Sequence, residues 1–173
     1  NFGIEQPPVA GNGVNYAPNP DGTIQVTVPT NTFTNGSNST DPAPGAVTAI
    51  RITAFPAGAT SIVINGTTYT SGNFPSLGIT ILTDVNGNPS QTITVDPTAN
   101  GVTSVTIPFK AIDAAGKESA NTGTAILYLT GISIGGNIYN DANGLNPTPS
   151  NTVDGIGTNA GGLNAVLLDS LNK

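Results

Sequence analysis

The sequence predicts an all-β protein, and three observations carry that prediction. Apolar residues gather in short runs rich in Ile, Val and Thr. Those runs alternate apolar with polar side chains, the period of a sheet buried on one face. Between them stand Asn, Gly, Pro and Asp, the residues of turns. The chain has 173 residues and a formal charge of -6, with only 8% charged residues, 22 Gly and 14 Pro. Such a composition also occurs in disordered segments, but disordered segments do not order their apolar residues with a period of two.

The elements follow in order. Residues 1–20 carry Gln6-Pro7-Pro8-Val9 and Asn-Gly pairs, and read as a linker running into a first strand. Strand-like runs come next at Thr23–Val28, Val47–Thr53, Ser61–Ile64, Thr67–Thr70, Ile79–Leu82, Thr92–Val95, Val102–Ala111 and Thr124–Leu129. In the first of these, Ile24, Val26 and Val28 share one face while Gln25 and Thr27 share the other. Thr30–Gly45 is polar and turn-rich and reads as a long surface loop. Asn65-Gly66 lies between two β-prone runs, which specifies a two-residue hairpin of type I′ because both central residues need positive φ. Asn86-Gly87 and Asn100-Gly101 are further turn signals. Ala111–Ala120 is Ala-rich but reads as a turn, and Ala165–Leu168 reads as a strand rather than part of a helix. Seven to nine short strands in about 130 residues fit a sandwich of immunoglobulin-like type. Composition shifts near Thr130, where we place a boundary: residues 1–130 form the immunoglobulin-like β-sandwich, and 131–173 form a partial second β-module.

What is missing narrows the chemistry. His, Cys, Met and Trp are all absent. That removes Ser-His-Asp triads, thiol nucleophiles, disulfides and imidazole- or thiolate-ligated metals. Ten acidic residues against four basic ones argue against nucleic acid and anionic membrane surfaces. No run approaches the ~20 apolar residues of a membrane span, so no membrane insertion is expected. Nor does a signal peptide open the chain, and Asn1 suggests a mature product or a piece of something longer. The acids are dispersed over separate turns, and no facing pair suggests glycosidase chemistry. An enzyme is not expected.

The tail carries a resemblance. Gly136-Asn137-Ile138-Tyr139-Asn140-Asp141-Ala142-Asn143-Gly144, then Asp154-Gly155 and Gly162–Asp169, resembles the start of the calcium-binding B-type repeat of bacterial surface adhesins, the SdrD/Cna-B-like group. The likeness covers about 40 residues, and the loop is one acidic residue short of that family's pattern. Residues 1–130 resemble the immunoglobulin-like or cadherin-like modules found beside such repeats. Pro7-Pro8-Val9-Ala10, Thr40-Asp41-Pro42 and Ile107–Ser119 carry this second likeness. Module pairs of this kind occur in large Bacteroidota cell-surface proteins, including gliding-motility adhesins. The resemblance implies an extracellular location on the bacterial surface and a non-enzymatic, adhesive or stalk-forming role. The implied partners are neighbouring modules of the same protein and a surface polysaccharide or protein.

Calcium is the one cofactor these residue types permit, since it takes six to eight oxygen ligands. Asp141, Asn143 and Asp154 are the candidate ligands in the tail. Asp41, Asp113 and Glu118 are candidates for a second site, with Glu5 a further candidate to join it from the linker. Each of these residues also suits a turn, where a side-chain oxygen caps backbone N–H groups. Lys110 on its strand is either an exposed lysine or the donor of an isopeptide crosslink to an asparagine. Tyr16, Tyr69, Tyr128 and Tyr139 suit core or sheet positions, or a sugar-stacking face. The alternative function is a carbohydrate-binding module of a secreted polysaccharide-degrading enzyme. Exposed, coplanar rings among Tyr16, Tyr69, Phe74 and Tyr128 would favour it.

Overall fold

The computed structural model describes residues 6–19, 25–43, 45–98 and 102–130, and the backbone of 139–140 and 156–157. The chain divides into two compact units, Asn1–Ile132 and Ser133–Lys173. In the second, Tyr139–Asn140 pairs antiparallel with Ile156–Gly157. Asp141, Asn143, Asp154 and the strand expected at 165–168 lie outside the described residues.

The first unit is a sandwich of two sheets. Its strands are β1 (Asn12–Pro18), β2 (Val26–Val28), β3 (Gly36–Ser37), β4 (Val47–Ile52), β5 (Ala59–Ile64), β6 (Thr67–Tyr69), β7 (Ile79–Leu82), β8 (Ile93–Pro97), β9 (Ser104–Asp113) and β10 (Gly123–Thr130). The larger sheet runs β3-β1-β10-β9-β4-β7 and the smaller β2-β8-β5-β6. Among the described residues there is no α-helix, only a 3₁₀ turn at Thr30–Phe33. This is the all-β sandwich expected, and it is compatible with an immunoglobulin-like module.

Alternation builds the core. Val105, Ile107, Phe109 and Ala111 of β9 all point inward and are fully buried. Ile50 and Ile52 of β4 and Leu127 of β10 lie in the same layer, and Val95, Ile62 and Ile64 of the smaller sheet complete it. The β5–β6 hairpin turns on Asn65 (φ 48°) and Gly66 (φ 80°), both positive, as a type I′ turn demands.

Two readings are corrected. The segment expected to be a linker contains β1, which pairs in parallel with β10 from Asn12↔Thr124 to Pro18↔Thr130. Its pattern is inverted: Gly13 and Ala17 face in, while Val14 and Tyr16 face out. The space beneath β1 is already taken. A Cβ on Gly13 would stand 2.1 Å from the Thr32 carbonyl oxygen, so only glycine fits. The segment expected to be a surface loop fills that space. Within it Thr32 and Phe33 are buried, and Phe33 meets Phe109 edge-to-face at 5.3 Å. Thr40 bridges Val9 further along the same segment.

Candidate functional site

Two features of the first unit stand out: the seam between its first and last described strands, β1 and β10, and the outer face of the larger sheet beside it.

The seam is sewn by asparagine. Ala10 N–H donates to Asn121 Oδ1 (2.9 Å), and Asn121 Nδ2 donates back to the Ala10 carbonyl (2.7 Å). Asn12 Oδ1 accepts from both the backbone N–H and the hydroxyl of Thr124, at 2.9 and 3.0 Å. Asn35 Nδ2 donates to the Val14 carbonyl (2.8 Å), and Asn15 Nδ2 to Asn31 Oδ1 (2.8 Å). A primary amide carries a donor and an acceptor in one plane, so it mimics a peptide group and extends a ladder where no strand lies. The backbones approach very closely here: a Cβ on Gly123 would lie 2.0 Å from the Gly11 carbonyl oxygen. By sequence, Asn12 and Asn15 fall in the expected linker and Asn31 and Asn35 in the expected turn-rich loop. Their partners lie up to 112 residues away, so no local signal could have revealed them.

On the outer face of the larger sheet, Tyr16 and Tyr128 are register partners. Their rings stack at 5.5 Å between centroids, 25° from parallel. Tyr16 is 63% exposed and Tyr128 39%. Tyr69 and Phe74 behave differently. They meet edge-to-face at 6.1 Å, half-buried against the core, with Phe55 on the other side of Phe74. Of the rings named for the carbohydrate-binding alternative, Tyr16 and Tyr128 form an exposed stacked pair, while Tyr69 and Phe74 pack against the core.

The charged residues of that face lie further along it, on β4 and β9. Arg51 forms a forked ion pair with Glu118, through Nε to Oε1 and Nη2 to Oε2, and its Nη1 donates to the Leu77 carbonyl at 2.5 Å. The Arg51 hydrogen bonds hold Glu118 below the usual carboxylate range, and Glu118 raises Arg51 in return. Lys110 is the cross-strand partner of Arg51 and adds a further attraction for Glu118. Lys110 thus stands half-buried within β9, beside an acid and an arginine.

The candidates for the second calcium site are not assembled. Glu118 is committed to Arg51. Asp113 ends β9 as a buried turn acid whose Oδ1 accepts from the Lys117 N–H at 2.8 Å. Its Oδ2 is buried without a hydrogen-bond partner. Asp41 is half-buried and lines an open cleft of about 350 Å³ with Asn38, Ser39, Val47, Val85 and Asn86. Among the described residues no group of three or more His, Cys, Asp or Glu is placed to hold a metal ion. Asp84 performs the same turn duty at the surface. Its Oδ1 accepts from the N–H of Asn88 (2.9 Å) and of Asn86 (2.8 Å), and these bonds, Asn88 first, hold it below the usual range. No helix among the described residues is long and apolar enough to cross a membrane. Comparison with family models, curated proteins and solved structures finds nothing that matches this chain.

Proposed function

We propose that the first unit is a non-enzymatic spacer and adhesive module of a larger extracellular bacterial surface protein, built to carry tension along its length. The observation behind this reading is the parallel β1–β10 pairing. Parallel register sets Asn12 beside Thr124 and Pro18 beside Thr130. The chain therefore comes into the seam at one end of the sandwich and leaves it at the other. Tension between the two ends pulls β1 and β10 in opposite directions along their own axes. All seven register positions are then loaded together, whereas a hairpin pulled at its open end parts one hydrogen bond at a time. Such a module suits a row of units strung end to end, with neighbouring modules on both sides. Low charge and abundant Thr and Asn keep its surface wet with few lysines.

Single-molecule stretching tests this. Tethered through residues 6 and 130, the first unit should yield at a force several-fold higher than when it is tethered through residues 65 and 130. The second geometry loads the β5–β6 turn instead of the seam. Equal forces in the two geometries would reject the tension-bearing reading.

A further inference from the structure

As a cross-strand pair the stacked tyrosines add about 1 kcal/mol or less to the seam. Val or Thr at both positions would serve a sheet as well, yet two large rings are left in water. Together they expose on the order of 200 Å² of aromatic surface, taking the size of a tyrosine side chain. A stable protein partner needs about 800 Å² on each side, so this patch is too small for a second copy or a docking domain. It has the size of one or two sugar rings.

Its surroundings fit the same occupant. Outward positions of β1 and β10, and of β9 from Ser104 to Pro108, carry no charged side chain. Next to Tyr128 in the same row stands Ser104, small and hydroxylic. On the other side of Tyr16, β3 pairs only with Asn12 and Gly13, so among the described residues β1 has no strand partner on that side beyond that point, and Tyr16 stays largely exposed. The pair is therefore a stacked, exposed aromatic patch that carries two phenol hydroxyls and has Ser104 beside it. A ring face attracts the weakly positive C–H groups of a neutral molecule through its quadrupole, and the hydroxyls exchange hydrogen bonds with the same molecule's edges. A strongly anionic ligand would meet the net charge of -6.

We propose that Tyr16 and Tyr128 form a subsite for a neutral saccharide, with one pyranose ring stacked on the exposed ring of Tyr16. This site is independent of the tension-bearing role, and either can fail without the other. The test is titration of the full chain with cellohexaose, xylohexaose, mannohexaose and chitohexaose, followed by amide NMR spectra and tyrosine fluorescence. The expected result is that at least one of these shifts resonances of residues 14–18 and 126–130, with an affinity insensitive to salt. Tyr16→Ala should weaken that binding about tenfold, the worth of one stacking contact. Tyr16→Phe should retain it. Should Tyr16→Ala fail to fold, the map on the unaltered chain decides. Perturbations centred elsewhere, such as on Tyr69 and Phe74, overturn the proposal. So does unchanged binding in a folded Tyr16→Ala, or no response to any of the four sugars.

Discussion

The β5–β6 hairpin and the β1–β10 seam are both two-stranded ladders, built by opposite routes. The hairpin joins strands two residues apart in sequence through Asn65 and Gly66, and three register pairs suffice. Its geometry is set by the turn, and the loop-closure cost is small. The seam joins strands more than a hundred residues apart through seven register pairs. No turn sets it. It is fixed by close backbone approach at Gly123, by the Phe33 plug beneath β1 and by asparagine amides at its margin. The hairpin is therefore locally specified and tolerant. The seam is globally specified and has no slack.

The sharpest way to break this contrast is to add one side chain to each region. Gly123→Val must displace the Gly11 backbone or the Phe109 ring, which lies 3.0 Å from the new Cβ. We expect a loss of about 3 kcal/mol or more, read as a fall of at least ~10 °C in the melting temperature of the first unit. A melt within ~2 °C of the parent would show that the seam is as tolerant as the hairpin.

Asn121→Ala comes next. It strips the Ala10 N–H and carbonyl of both partners in a part-buried setting. Unsatisfied groups of that kind cost about 2 kcal/mol. Urea unfolding should show that loss, and amide exchange should rise first at residues 9–12. Exchange rising uniformly across both sheets instead would mean that Asn121 does not act on the seam in particular.

Gly66→Ala tests the other side. Nothing lies within 4 Å of an added Cβ there, so the only cost is the positive φ of 80°. That amounts to about 1 kcal/mol, and the β1–β10 amides should keep their protection. Loss of seam protection would show that the two regions unfold as one.

The smallest effect belongs to the Arg51–Glu118 pair, which touches neither region. Its side chains are 24% and 33% exposed, so solvent screens the pair and about 1 kcal/mol or less is expected from it. The carboxyl of Glu118 is held below the usual glutamate range. Its contribution is therefore complete at neutral pH and is lost as pH falls through that range and below it. Glu118→Gln should be slightly less stable than the parent at pH 7, and the difference should shrink as the pH falls below the usual glutamate value of about 4.3. A difference that persists in acid would assign the pair's value to packing rather than charge.

Strands with one buried face and a short connection were legible in the sequence. β4, β6, β7 and the turn at Asn65-Gly66 fall within a residue or so of the expected places. β9 was expected over 102–111 and runs over 104–113. β1 was not legible, because its inward positions are the small ones and its large residues face water. Among the site candidates, Asp113 and Glu118 could be read as turn acids but not as separate ones. The Glu118 partner, Arg51, lies 67 positions away. Tyr16 and Tyr128 could be named as aromatic candidates, but their union could not be, since parallel pairing of β1 and β10 leaves no periodic trace.

By itself, the sequence determined the all-β class, the period-2 core strands and the type I′ hairpin. Each follows from residues within a few positions of one another, whose side-chain periodicity and φ preferences act before any distant contact forms. Only the tertiary structure decided that β1 closes the larger sheet, that Phe33 plugs the space beneath it, and that the asparagines near the N-terminus serve as ladder rungs. It also decided that two tyrosines 112 positions apart share one row. Those outcomes depend on which surfaces remain unpaired once the local elements have formed, and that is a property of the packed sheets, not of any window of sequence.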